Sequence, residues 1–333
     1  MKRCSVGGQA VLEGVIMKNP MGGMAMAVRQ ADGTIVTEYT KTETLAKKGT
    51  FWGLPVVRGV VNFVEALSTG MKATTRSAEL YGEELANEEP SKFEQWLAKT
   101  FHKSAMDVAM AIAVVMAICL AVGLFVFLPS LATQLIPWKE GTAAIWKSLS
   151  EGLVRLLIFL IYISAISLMK DIRRLYMYHG AEHKTIACYE AEAELTPENA
   201  MQYPRLHPRC GTNYMFLVMA VSILFFAILP YSNNFFLRFL TRIICLPLVA
   251  GLSYEVLKAA AASDSRLARI IRAPGMGLQY LTTREPEPEM IEVAIRAFHL
   301  AMDPEGELAK EAAAKEAEKD QLKEKEEQGE EQA

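Results

Sequence analysis

Cysteine is scarce in this sequence. The 333 residues contain five cysteines, which are scattered along the chain: Cys4, Cys119, Cys188, Cys210 and Cys245. No two of them have the C-x-x-C spacing of a zinc ribbon, and their odd number gives no disulfide framework. These absences exclude a small disulfide-stapled secreted domain and indicate a reducing compartment.

The sequence also lacks an excess of positive charge and an apolar leader. Its formal net charge is −3, and its pI is about 6.1, so nucleic acid is not a predicted partner. The basic residues Lys2 and Arg3 are not followed by an apolar stretch of signal-peptide length. We therefore expect the N-terminus to stay in the cytosol.

Apolar residues are abundant and are concentrated in long runs. They make up 51% of the chain, against 22% charged residues. Residues 108–137 and 211–237 are free of charge, and a helix of about 20 apolar residues spans a bilayer. Residues 149–169 and 235–257 are also apolar but contain charges. The predicted fold is a mainly α-helical membrane protein with four transmembrane helices in a bundle.

The sequence also predicts where the charges inside the last two runs lie. They are Glu151 and Arg155 in the first run, and Arg238, Arg242 and Glu255 in the second. A charge in mid-bilayer costs about 2.5 to 3.5 kcal/mol on insertion scales. We therefore expect these side chains near helix ends or facing the bundle interior, and Glu151 can pair with Arg155 one turn later.

Lysine and arginine predict how the chain is oriented. They accumulate between the second and third predicted crossings and after the fourth, whereas the two short connecting hairpins contain few of them. Positive charge marks cytoplasmic loops. The chain is thus predicted to be a multi-pass protein of the inner membrane, with the lipid bilayer as its partner and both termini in the cytoplasm.

The aqueous segments divide the chain further. Residues 24–39 alternate around an Asp32-Gly33 turn, which predicts a β-hairpin, and the Gly7-Gly8 and Gly22-Gly23 pairs are interpreted as turns. The predicted organisation has five parts: a small β-containing cytoplasmic region (1–50), an amphipathic helix and linker (51–103), a membrane region (104–258) with a cytoplasmic loop (170–213), a cytoplasmic segment (259–303), and an acidic tail (304–333) that is a solvated helix or disordered.

The central loop has an unusual concentration of metal-ligating residues. It contains three of the five histidines of the chain, and His179 and His183 are four residues apart, so that they share one face of a helix. His207 and Cys210 add an imidazole and a thiol. Transition metals prefer such ligands. The pattern predicts a divalent metal site, with zinc as the favoured ion, formed by His179, His183, His207 and Cys210.

Glu182 is the predicted catalytic residue. The string His179-x-x-Glu182-His183 matches the inverted zinc-hydrolase signature, in which the glutamate acts as general base on metal-bound water. Three protein ligands would leave a position open for that water. Four would make the site structural, as in a nonenzymatic scaffold or membrane-protein assembly factor. A further alternative is that Glu182 only pairs with Lys184 or Arg173.

Several of these motifs together resemble a known family. They are residues 7–17 (GGQAVLEGVIM), 178–185 (YHGAEHKT), 207–212 (HPRCGT), 273–275 (APG) and 281–286 (LTTREP). In these motifs the chain resembles the YqhQ-like family of bacterial membrane proteins, which are described as predicted metal-dependent enzymes of unknown function. The resemblance implies a bacterial cell-membrane protein. It supplies no reaction, substrate, protein partner or oligomeric state.

Overall fold

The computed structural model describes residues 6–19, 22–82, 105–263 and 265–309, with the side chains of residues 105–110 excepted. Three predicted features lie wholly or largely outside these residues: the extreme N-terminus, the linker before the first crossing, and the acidic tail. Everything below concerns the described residues.

The N-terminal region is a four-stranded antiparallel meander. Its strands, in spatial and chain order, are β1 (Gly7–Val11), β2 (Gly14–Lys18), β3 (Gly23–Arg29) and β4 (Ile35–Lys41). The predicted hairpin is confirmed as β3 and β4, and the Asp32 carboxylate accepts hydrogen bonds from the backbone N–H and hydroxyl of Thr34.

The interpretation of Gly7-Gly8 as a turn was wrong. Both residues lie in β1, where Gly8 pairs with Met17 of β2. This first hairpin gave no alternating pattern because β2 is buried along four of its five residues, so that both of its faces are apolar. Gly22, in contrast, does lie in a turn, with a left-handed φ of 91°.

Ten α-helices follow, after a 3₁₀ turn at Phe51–Gly53. They are α1 (Val57–Tyr81), α2 (Ala105–Val122), α3 (Leu128–Gln134), α4 (Ala144–Ile166), α5 (Lys170–Glu190), α6 (Pro197–Met201), α7 (Thr212–Ile228), α8 (Phe235–Ala261), α9 (Arg266–Thr282) and α10 (Pro288–Met302). A π-helical segment, Gly123–Phe127, joins α2 to α3 without a break. The predicted helix after Pro55 is confirmed as α1.

Three helices are long and apolar enough to cross a bilayer. These candidate spans are Ala111–Gln134, Ala144–Ile166 and Phe235–Ala261. The remaining predicted crossing, the third along the chain, corresponds to α7, which has only 17 residues. At 1.5 Å per residue it is about 25 Å long, against about 30 Å for the hydrocarbon core. The structure therefore supports three spans, and four crossings are not confirmed.

The largest apolar core of the aqueous part is built from distant segments. Strands β2 and β3 contribute Val15 and Ala27, α5 contributes Tyr178 and Ile186, and α10 contributes a continuous buried face that includes Phe298. The side chain of Asn19, at the end of β2, donates a 2.7 Å hydrogen bond to the Ala301 carbonyl. The C-terminal helix α10 thus covers the N-terminal sheet and fixes it against α5.

Four of the five charges in the two charge-containing runs are buried together, and the fifth, Glu255, lies near the end of α8. Glu151 is 1% exposed, and its carboxylate accepts hydrogen bonds from Ser130 Oγ at 2.9 Å and Arg242 Nε at 3.0 Å. It also pairs with Arg155, one turn later on α4, and with Arg238 of α8. We call these four charged residues the Glu151 cluster, and it joins α3, α4 and α8.

Candidate metal centre

Helix α5 places the two predicted histidine ligands. Residues Ser167–Met169 are not helical and separate α4 from α5. Helix α5 is therefore not a continuation of the second span. His179 and His183 lie one turn apart on it, with ring centroids separated by 4.4 Å. Gly180 between them allows close packing, because a Cβ there would overlap with the Arg284 carbonyl oxygen.

Three of the four predicted ligands come together. Ligand atoms of His179, His183 and Cys210 all lie within 4.8 Å of one another. The His179 Nε2 atom is 3.2 Å from the Cys210 Sγ atom. Zinc distances of about 2.0 Å to nitrogen and 2.3 Å to sulfur place tetrahedral ligand atoms roughly 3.3 to 3.6 Å apart. The observed spacing is compatible with one zinc ion after small side-chain adjustments.

Backbone carbonyls orient both imidazoles. His179 Nδ1 lies 2.9 Å from the Thr282 carbonyl oxygen, and His183 Nδ1 lies 2.6 Å from the Arg205 carbonyl oxygen. A carbonyl only accepts, so each Nδ1 carries the proton and each Nε2 presents a lone pair. Metal-bound histidines in proteins are held in this way.

One nitrogen atom of this group is buried without a protein partner. It is Nε2 of His183, a residue that is 1% exposed. Buried polar atoms nearly always have a hydrogen-bond partner, so an exception calls for an explanation. A bound metal ion would satisfy this nitrogen.

Cys210 precedes α7, and the start of that helix surrounds its sulfur. The backbone N–H of Thr212 donates to Sγ at 3.4 Å, and the Thr212 hydroxyl lies 3.3 Å from Sγ. A backbone donor of this kind would stabilise the negative charge of a thiolate ligand. The start of α7 thus fixes the position of the Cys210 sulfur beside the two histidines.

His207 lies beside the three clustered residues and not among them. Its ring centroid is 5.6 Å from that of His183, and its Nε2 atom is 3.6 Å from the Glu190 carboxylate. Gln279 fixes the His207 backbone by accepting from its N–H and donating to its carbonyl, both at 2.8 Å. Burial and the nearby His183 and Arg209 lower the pKa of His207 to about 4. It is therefore neutral at pH 7.

Glu182 is buried on α5 next to the histidines. Its Oε1 atom accepts a 2.9 Å hydrogen bond from the Gly8 backbone N–H, and its Oε2 atom is buried without a protein partner. Burial raises the pKa of Glu182, while His179 and the Gly8 N–H act in the opposite direction. A raised pKa suits a residue that exchanges a proton near neutrality.

A cavity of about 510 Å³ opens onto this site. We call it the polar cavity. It is lined by Glu182, His183, His207 and Cys210 on one side, and by residues of β1, β2 and α1 on the other, among them Gln9, Lys18, Asn62 and Glu65. The predicted general base and two of the clustered ligands therefore share one space that a small group can enter.

Other charged residues that could have joined this site have partners elsewhere. Lys184 binds Glu285 at 3.0 Å and the carbonyls of Met201 and Tyr203, and it forms no ion pair with Glu182 among the described residues. Two further glutamates also lie elsewhere: Glu13 binds Arg174, and Glu255 binds Arg58. Neither belongs to the three-residue group.

Sequence reasoning missed the residues that hold the ligands in place. They act mostly through the backbone: the Gly8 N–H, the Arg205 and Thr282 carbonyls, and the Thr212 N–H. Backbone groups leave no side-chain signature. Three of these positions nevertheless lie in the motifs that carry the family resemblance, residues 7–17, 207–212 and 281–286, and the structure brings those motifs together around α5.

Comparison with known proteins agrees with that resemblance. Residues 54–304 match the family described as "Protein of unknown function (DUF1385)". The chain is also 32% identical over 301 residues to "Uncharacterized protein YqhQ" of Bacillus subtilis (strain 168), an alignment that covers 88% of this chain and 91% of that protein. No solved structure matches. The predicted YqhQ-like relationship is confirmed, and the chain belongs to the DUF1385 family.

Proposed function

We propose that this chain is a membrane-bound, zinc-dependent hydrolase with His179, His183 and Cys210 as its metal ligands. The observation that carries the proposal is the orientation of the two imidazoles. Both have Nδ1 bonded to a carbonyl, and the Nε2 of each is left for a metal shared with the Cys210 sulfur. Two nitrogens and one sulfur favour zinc over magnesium or calcium, which prefer oxygen.

Three protein ligands favour catalysis over a purely structural site. Catalytic zinc sites keep a fourth position for water, and zinc lowers the pKa of that water toward 7. Glu182 is the base that would accept its proton, with the unpartnered Oε2 as the accepting atom. The water oxygen bonds to the acyl or phosphoryl centre of the substrate, whose bond to the leaving group breaks. Glu182 then returns the proton to the leaving group.

The scaffold alternative depends on His207 becoming a fourth metal ligand. Its ring centroid lies 5.6 Å from that of His183, and the ring is neutral, so a side-chain rotation could make it a fourth ligand. The ion would then be structural and would only fold residues 170–213. The contacts of His207 with Glu190 and Gln279 support the three-ligand arrangement.

We further propose that α7 completes a four-crossing bundle. It packs against α4 and α8, two of the three candidate spans, and its sequence is free of charge. Its length of 17 residues is at the lower limit for a crossing, which local thinning of the bilayer can accommodate. The distribution of lysine and arginine then places the metal centre and both termini on the cytoplasmic side of the inner membrane.

Glu182→Gln tests the catalytic role. We expect the variant to bind zinc with the wild-type stoichiometry but to hydrolyse p-nitrophenyl esters at least 100-fold more slowly, because general-base catalysis contributes about 10² to 10⁴. The assay uses full-length protein in detergent, with metal analysis of the same samples. Glu194→Gln, a glutamate on the connection between α5 and α6, is the matched control.

Two results would contradict the proposal for Glu182. Loss of zinc from Glu182→Gln would make this residue a structural support of the site. Retention of both zinc and the full hydrolytic rate would show that Glu182 is not the general base.

A further inference from the structure

A second, larger cavity lies beside the polar cavity. It has a volume of about 1,030 Å³ and runs between α1 and α2. Its walls are mainly apolar and include Phe63, Leu67 and Met71 of α1, and Val114, Ala117 and Ile118 of α2. We call it the apolar groove. The apolar face of α1 is therefore not fully packed, and Leu67 is 54% exposed.

One wall of the apolar groove belongs to a candidate membrane span. This α2 wall, residues 113–121, lies within Ala111–Gln134. In a bilayer the groove would open onto the hydrocarbon core, where helices gain nothing by closing an apolar gap that lipid chains can fill. The opposite wall, α1, is not among the candidate spans and packs against α8 and the sheet.

The two cavities adjoin at the metal centre. Gln9, Asn62, Ala66 and Gly211 line both of them. Gly211 directly follows the proposed ligand Cys210, and Gln9 follows Gly8, whose N–H binds Glu182. A molecule that lies in the apolar groove would thus have its polar end within the polar cavity, next to Glu182.

We infer that the substrate of the metal centre is an acyl lipid that enters from the bilayer, with its chain in the apolar groove and its hydrolysable polar linkage in the polar cavity. This inference rests on the proposed function for its chemistry. The reaction is the hydrolysis described above, in which water adds to the acyl or phosphoryl centre and the leaving group departs with a proton.

A membrane-spanning peptide fits the groove less well than a lipid. A helix about 10 Å across is too wide to continue from the groove past Gln9 and Gly211 into the polar cavity. An acyl chain is thinner and flexible, so it fits the groove and still reaches the polar cavity.

Photolabelling tests this inference. Full-length protein is reconstituted into vesicles of phosphatidylethanolamine and phosphatidylglycerol that contain a trace of phosphatidylglycerol with a diazirine on one acyl chain. After irradiation, we expect adducts on Phe63, Leu67 and Met71 of α1. Ala117→Trp fills the groove and should reduce these adducts at least five-fold. Ala111→Trp is the matched control, since Ala111 is exposed on the same helix but does not line the groove.

Zinc analysis of the same samples separates this inference from the proposed function. Wild-type zinc content with no adducts on α1, or equal labelling of the two tryptophan variants, would overturn the lipid inference and leave the metal centre intact. Adducts on α1 with no zinc in any sample would overturn the hydrolase and leave a lipid-binding groove. If α1 is labelled in the wild type and in Ala111→Trp but not in Ala117→Trp, and all samples retain zinc, the result supports the lipid inference and the proposed metal centre together.

Discussion

Replacing His179 and His183 together with alanine is expected to abolish tight zinc binding. Ligand atoms of both histidines lie within 4.8 Å of the Cys210 sulfur, and one thiolate alone cannot hold the ion. Loss of a single supporting contact already weakens metal affinity about 10- to 100-fold, so loss of two ligands should exceed 100-fold. Metal analysis after dialysis against a competing chelator measures this change.

Two further variants locate the site within the chain. His299→Ala removes an exposed histidine of α10 and should leave zinc content unchanged. His207→Ala should retain zinc with less than a ten-fold loss of affinity, because His207 lies outside the three-residue group. Equal zinc content in wild type and in His179→Ala/His183→Ala would show that these histidines do not hold the metal.

Glu151→Ala is expected to cause the largest loss of stability of any single substitution in the membrane region. Glu151 is the partner of Arg155, Arg238 and Arg242, and all four side chains are buried. Its removal would leave three guanidinium groups without a carboxylate, and breaking a buried pair in this way costs about 3 to 5 kcal/mol. The melting temperature in detergent should fall by roughly 10 °C.

The matched control for this experiment is Glu140→Ala, which removes an exposed glutamate from the connection between α3 and α4. It should change the melting temperature by no more than about 2 °C. Glu151→Gln keeps the shape and hydrogen-bonding capacity of the side chain and should fall between the two. A Glu151→Ala variant as stable as wild type would mean that the Glu151 cluster does not hold α3, α4 and α8 together.

The membrane region illustrates what charge patterns can and cannot predict. The charge-free run at residues 211–237 is interrupted by the turn at Pro230–Asn234, and the helix before this turn, α7, ends at Ile228. The absence of charge in a run does not fix the length of the helix within it. The two runs that contain charges also form full-length spans, in which Glu151 pairs with the arginines inside the bundle.

The sequence predicted the clustering of three of the four candidate ligands but not the groups that hold them in place. Helical spacing places His179 and His183 on one face, and a thiol 31 residues after His179 had the right chemistry. The sequence could not tell that His207 would face Glu190 in place of the other ligands, because that choice depends on Gln279 of α9. It also could not reveal that the N-terminal sheet brings Gly8 to Glu182.

X-ray absorption spectroscopy of the zinc-loaded, full-length protein tests the central claim most directly. The predicted spectrum has one sulfur at about 2.3 Å, two imidazole nitrogens at about 2.0 Å and one further oxygen from water. Replacing Cys210 with serine should remove the sulfur contribution. A wild-type spectrum without sulfur would contradict a site made of His179, His183 and Cys210, and one sulfur with three imidazoles would contradict the open, catalytic form of that site.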